Sequence, residues 1–163
     1  MSKELEILKK HLGNVEGKSE FATKELCLQI DDANDFIATL QVLDSVLKKL
    51  EYKLKERDGA NLEQAQSIDK ELSLIAENAS FMGEALFNKK FSTNVGTNHF
   101  NFEIQNPLLV LENGGYEGVL AFVEEKREEI SALLDTLDEA LLLSTITSPN
   151  PQREFKNFKE LLS

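Results

Sequence analysis

The chain reads as a mainly α-helical (α+β) protein, an antiparallel three-helix bundle with a small β-hairpin cap. Three observations predict this. Two long stretches carry apolar residues at alternating steps of three and four. A shorter stretch between them keeps the same seam. The segment joining the second seam to the third switches to short alternating runs punctuated by Asn and Gly. At 163 residues the chain is long enough to bury one core without metal or disulfide staples.

Residues 1–30 form an N-terminal amphipathic segment. Leu5, Ile7, Leu8 and Leu12 fall at roughly helical spacing, and Gly13 and Gly17 then read as a break. Ser19 to Ile30 is a second, weaker amphipathic piece, helix or loop. The first long helix is expected from Asp31, with Ala33, Phe36, Leu40, Leu43, Leu47, Leu50 and Leu54 as its seam. Asp31, Asp32 and Asp35 suit a first turn, and Lys53, Lys55 and Arg57 a last turn, by the helix dipole. Gly59 is a natural stop. Ile37, Val42 and Val46 broaden the apolar face, as a helix touching two neighbours requires; a partner groove would look the same.

The second helix is expected after Asn61, an N-cap paired with Gln64 in a capping box. Its seam is Ala65, Ile68, Leu72, Ile75, Ala79 and Met82, interrupted at Gly83. Residues 84–112 then read as a β insertion. Phe91 to Val95 and Phe100 to Ile104 alternate like strands, and Asn88, Asn94, Gly96, Asn98 and Asn106-Pro107 mark turns. Leu108 to Leu111 is a candidate further strand. The third helix is expected from near Glu117. Leu120, Val123, Ile130, Leu134, Leu137 and Leu141 form its seam, with Ala132, Leu133 and Ala140 widening it and Arg127 snorkelling at its edge. It ends before Ser148-Pro149-Asn150-Pro151. The boundaries that result are 1–30, a bundle over 31–145, and a C-terminal amphipathic tail over 146–163. At about 1.5 Å per residue, helices one and three are about 40 Å long and helix two nearer 28 Å. The difference leaves a gap of about 12 Å that the β insertion is placed to cover.

The charge balance excludes several functions. With 29 Asp and Glu against 18 Lys and Arg, the net charge is −11. A phosphate backbone or an anionic membrane surface needs a basic face, so neither nucleic acid nor membrane is expected as a partner. A basic protein partner is compatible, and so is a solubility role. Cys27 is the lone cysteine, which rules out an internal disulfide and fits a reducing compartment. The N-terminus lacks the apolar core of a secretory signal, and no apolar run reaches membrane-spanning length. The expected location is the cytoplasm.

The second helix and the β segment after it carry a family resemblance. The stretch Gln66 to Phe87 resembles the flagellin pattern I-x-x-E-[IL]-x-x-I-x-x-I-A-x-x-[TS]-x-F-[NM]-G with a short β region beyond it, and Ile68, Glu71, Leu72, Ile75, Ala76, Phe81 and Gly83 carry the resemblance, with three fewer residues between the first and the last. The order helix, helix, β hairpins, long helix over residues 31–145 is likewise similar to the inner core domain of flagellins and hook-associated proteins. The chain departs from flagellins in lacking the Asn/Thr/Ala/Gln-rich N-terminal arm, the A-x-x-N-R segment of helix three and the long terminal helices of the filament's inner tube. It therefore looks like a flagellin-like protein that does not polymerise, and resembles a co-chaperone partner of the flagellar export chaperone FliS. The resemblance implies that FliS, which binds flagellin's C-terminal region and prevents premature assembly, is the partner. Pro151-Gln152 with Leu161-Leu162 is similar, with a longer gap, to the P-Q-x-x-L-x-L-L ending of flagellins.

No enzymatic chemistry is expected. Asn113-Gly114-Gly115-Tyr116-Glu117-Gly118 resembles a dinucleotide-binding turn, but position 113 is not glycine and no second parallel strand comes after it. His11 and His99 lie in unrelated segments without cysteine or histidine at ligand spacing, so neither a metal nor another cofactor is expected. Cys27 reads as a partly buried, inert thiol. Two partner-binding sets stand out. Phe155, Phe158, Leu161 and Leu162 share one face of the tail, which either enters a chaperone groove or docks on its own bundle. Glu124, Glu125, Glu128 and Glu129 stack at i,i+4 on helix three, as a solvated face or as an acidic strip for a basic partner. The function expected is a non-enzymatic flagellin mimic that binds FliS in flagellar export, through the tail or side-on through the bundle. The alternative is a minor or exported flagellin-like structural protein.

Overall fold

A computed structural model describes residues 3–146, with side chains from 20 to 144. Among these the fold is mainly helical, with three helices and two small antiparallel strand pairs. Helix α1 spans Lys3–Asp58, α2 Leu62–Glu77 and α3 Leu111–Ile146. Strands β1 (Ser80–Phe81) and β2 (Glu84–Ala85) form one pair, and β3 (Lys89–Val95) and β4 (Asn98–Ile104) the other. The amphipathic tail lies outside the described residues.

Helix α1 is the spine, packed against both α2 and α3 and against β3. Every residue of its predicted seam, from Ala33 to Leu54, is buried. Each such leucine contributes roughly 1.5–3 kcal/mol through removal from water. The helix begins well before Asp31 and runs unbroken through Gly13 and Gly17, where the glycines predict a break. A glycine in a helix interior costs only about 1 kcal/mol, and no proline precedes residue 107 to forbid continuation. Asp31, Asp32 and Asp35 therefore sit in mid-helix rather than at a dipole-stabilised first turn. Lys55 and Arg57 do occupy the last turn.

Helix α2 starts as its sequence dictates. Asn61 Oδ1 accepts from the Gln64 N–H at 2.9 Å, and the Asn61 N–H donates to Gln64 Oε1 at 3.2 Å. Ile68, Leu72 and Ala76 are buried, and Ala79 joins them just past the helix. Met82, expected on this seam, is instead 74 % exposed, because the helix has already ended. It lies with Gly83 in the tight turn joining β1 to β2. Both residues have positive φ, 51° and 78°, the signature of a type I′ hairpin turn.

The β3–β4 hairpin pairs Phe91 with Phe102 and Thr93 with Phe100. Alternation places Thr93, Val95, Phe100, Phe102 and Ile104 on the buried face and Lys90, Ser92, Asn94, His99, Asn101 and Glu103 outside. Gly96, at φ 61°, opens the two-residue turn, as a type II′ connection requires. Its N–H donates to Gln29 Oε1 at 3.3 Å, and a Cβ there would lie 3.7 Å from Ser144 Oγ. The hairpin tip thus rests beside residue 29 of α1 and the end of α3, while ion pairs tie α2 to the other end of α1. The hairpin takes over the flank of α1 beyond α2. Asn88 closes its base at φ 61°, an αL position asparagine tolerates. Its N–H donates to the Ile104 carbonyl, and its side-chain oxygen accepts from the Asn106 N–H.

Leu108 to Leu111 forms no strand. Pro107–Val110 is a 3-10 turn running into α3, because Asn106 Oδ1 accepts from the Leu108 N–H and Pro107 presets a helical φ. Gly115, at φ 63° and ψ −167°, then breaks the helix, so its long regular part starts beyond, near the expected Glu117. Val119, Val123, Ile130, Leu137 and Ala140 are its buried residues; Ala132 is exposed.

Candidate partner-binding surfaces

The helices are tied by a belt of ion pairs that the sequence did not disclose. Arg127 donates from Nε to Asp44 Oδ1 at 2.9 Å and from Nη1 to Glu51 Oε2 at 2.6 Å. It does not snorkel freely at the seam's edge, because two carboxylates one heptad apart on α1 hold it. Lys55 donates to Glu51 Oε1 at 3.0 Å. Arg57 donates to Asp69 of α2 at 2.6 Å and stacks on the Tyr116 ring, its Cζ 3.6 Å from the centroid. Glu71 Oε2 is enclosed, with Lys53 Nζ at 2.6 Å as its partner. The shallow depression of about 320 Å³ between Leu54, Lys55, Arg57, Asp58, Tyr116, Glu117 and Leu120 has its two cations, Lys55 and Arg57, already paired in this belt.

These pairs set the acid stability. Hydrogen bonds from Lys55 first and Arg127 second hold the Glu51 carboxyl below its ordinary value of 4.5, and Arg57 holds Asp69 below 3.8. Burial first, then neighbouring Asp69, pushes the Tyr116 hydroxyl up. A carboxyl depressed on folding binds fewer protons folded than unfolded, so its stabilisation is present above the unfolded value and lost as pH falls through the folded one. Stability is therefore expected to fall below about pH 4.5. Glu51→Gln should lose about 1 kcal/mol at pH 7, the scale of a partly exposed pair, and show a shallower decline below pH 4.5. Urea unfolding at pH 7, 4.5 and 3 measures both.

Glu124, Glu125, Glu128 and Glu129 are all exposed on α3. Two have intramolecular company: Glu124 lies 3.9 Å from Lys55, and Glu129 accepts from Lys126 at 3.0 Å. The strip is thus partly neutralised from within. Phe155, Phe158, Leu161 and Leu162 lie outside the described residues. Exposed apolar side chains occur elsewhere, among them Leu62 and Leu74 on α2, Met82, Leu109, and Phe21 and Leu28 on α1. Sequence reasoning missed Phe21 and Leu28. Their spacing of seven was the available signal.

The glycine turn serves packing. Gly115 supplies the kink, and a Cβ at Gly114 or Gly118 would meet Val110 Cγ1 at 3.4 Å. Cys27 is exposed rather than partly buried, because no side chain from 20 to 32 of α1 is covered by another described element to the point of burial. His99 contacts Asn94 Oδ1 through Nδ1 at 2.6 Å on the outer face of the hairpin. Among the described residues no three His, Cys, Asp or Glu side chains converge as metal ligands, and no helix is long and apolar enough to cross a membrane.

Comparison with known proteins gives one assignment. A family model described as the flagellar FliS export co-chaperone, HP1076, matches residues 7–145. That span takes in all of α2 and the strands and nearly all of α1 and α3. No curated protein matches the chain.

Proposed function

Because this chain belongs to the flagellar FliS export co-chaperone family, we propose that it is a non-enzymatic protein that binds the export chaperone FliS and acts beside it as a flagellin mimic. The observation that carries this reading is the family match over residues 7–145. The element order supports the mimicry: helix, helix, β hairpins and long helix, with α1 sharing its seam between α2 and α3. We read this arrangement as an antiparallel three-helix bundle of the flagellin inner-core kind, working in the cytoplasm where unassembled flagellin is handled.

Two modes of binding fit the reading. In one, the tail enters the groove of FliS that takes flagellin's C-terminus. In the other, the bundle packs side-on, offering the acidic strip of α3 to basic residues on the chaperone. Titration calorimetry against purified FliS, with and without flagellin's C-terminal peptide, tests the proposal. Saturable binding at micromolar concentration or tighter is expected. Displacement by the peptide places both ligands at one site, and full affinity in a chain lacking residues 149–163 assigns binding to the bundle. No binding at micromolar concentration sinks the co-chaperone reading and favours a minor or exported flagellin-like subunit.

A further inference from the structure

Helix α1 has two halves of different character. From Ala33 onward its seam is buried, but none of the side chains from 20 to 32 is. Phe21 is 66 % exposed and Leu28 64 %. They stand two turns apart, so they share one face with Glu25 and Asp32, at i, i+4, i+7 and i+11. The result is an exposed apolar stripe interleaved with acids, on a helix half that the Gly96 turn meets at Gln29 but in which no side chain from 20 to 32 is buried.

The chain carries a segment of matching chemistry. Residues 152–162 set Phe155, Phe158 and Leu162 at i, i+3 and i+7, so the tail's apolar span is also two turns. Arg153, Lys156 and Lys159 flank that stripe against only Glu154 and Glu160, which makes it a basic segment in an acidic protein. Connectivity delivers it to the right place. The Gly96 turn touches both Gln29 and Ser144, so α3 ends beside residue 29 of α1. Residues 147–151, with Pro149 and Pro151, span up to about 15 Å when extended at about 3.1 Å per residue. Phe21 lies about 12 Å along α1 from Gln29, at about 1.5 Å per residue. The linker therefore reaches every point of the stripe.

We propose that the tail, residues 152–162, seats on the stripe formed by Phe21, Glu25, Leu28 and Asp32. Its aromatic residues cover Phe21 and Leu28, and its basic residues face Glu25 and Asp32. The proposal does not rest on the chaperone reading. It does add a constraint: a partner that takes the tail uncovers the stripe.

Hydrogen exchange read by mass spectrometry tests this on three proteins: the full chain, the chain lacking residues 149–163, and a full-length Phe155→Asp/Phe158→Asp variant. Each is measured at two concentrations tenfold apart. Amides 20–30 are expected to exchange at least tenfold faster in both altered proteins, at either concentration. Amides 36–54 should be unchanged, which reports an intact bundle. Where truncation perturbs that control, the double substitution alone decides. Equal exchange of 20–30 in all three proteins overturns the proposal. Protection of 20–30 that grows with concentration also overturns it, assigning the stripe to a second copy.

Discussion

Leu47→Ala lowers the free energy of unfolding by about 3–4 kcal/mol, the range for emptying a leucine site in a packed core. Leu47 is fully buried at the centre of the α1 seam, which faces α2 and α3 together, so no single helix can close the void by shifting. The expected readout is a lower urea midpoint with an unchanged slope. Leu62→Ala makes the control. Leu62 is also a helical leucine, but it is 77 % exposed, and its replacement should cost less than about 0.5 kcal/mol. A comparable loss at the two positions would mean that α1 is not the shared spine of the fold.

Gly115→Ala is expected to cost about 2 kcal/mol, which lowers the melting temperature of a chain this size by about 4–8 °C. The reason is conformational. With φ 63° and ψ −167°, Gly115 occupies a region that side-chain-bearing residues almost never adopt, yet a Cβ there would meet nothing within 4 Å. The penalty is strain without a clash. Gly59 isolates the effect: a Cβ there also meets nothing, and its backbone is not in the left-handed region. Gly59→Ala should be neutral or stabilising by up to about 1 kcal/mol. If the two alanines behave alike in a thermal melt, the kink is not held by the fold. Because Tyr116 is the next residue, relaxation at 115 also threatens its stacking on Arg57.

The contrast between Leu47 and Gly115 shows what the sequence discloses. The α1 seam was legible because it depends on local periodicity, and each predicted position from Ala33 to Leu54 is buried. The capping box at Asn61 and Gln64 was legible for the same reason, since both partners lie within one turn. The hairpin strands announced themselves by alternation. Arg127 is different: its partners are 76 and 83 residues away, and only the antiparallel passage of α3 along α1 brings them together. A cation inside an apolar seam was the clue, and Asp44 and Glu51, seven apart, were the complementary half. The start of α1 was misplaced because glycine weakens a helix without ending it. Met82 was misplaced because periodicity continues past the residue where a turn takes over. Exposure of Cys27, Phe21 and Leu28 depends on what covers them, which no local pattern encodes. The expectation of a role in flagellar export came from the resemblance of Gln66 to Phe87 to flagellins, and the family match over residues 7–145 supports a co-chaperone role.

The length of α1 has a hydrodynamic consequence. Its 56 residues make a rod of about 84 Å at about 1.5 Å per residue. A compact chain of this size has a radius of gyration of only about 15 Å. A monomer built on such a rod diffuses slowly for its mass and elutes early from a sizing column. Its apparent mass, read against globular standards, would be taken for that of a dimer, and a one-to-one complex for something larger. Stoichiometry with any partner has to come from light scattering or sedimentation equilibrium, where shape drops out.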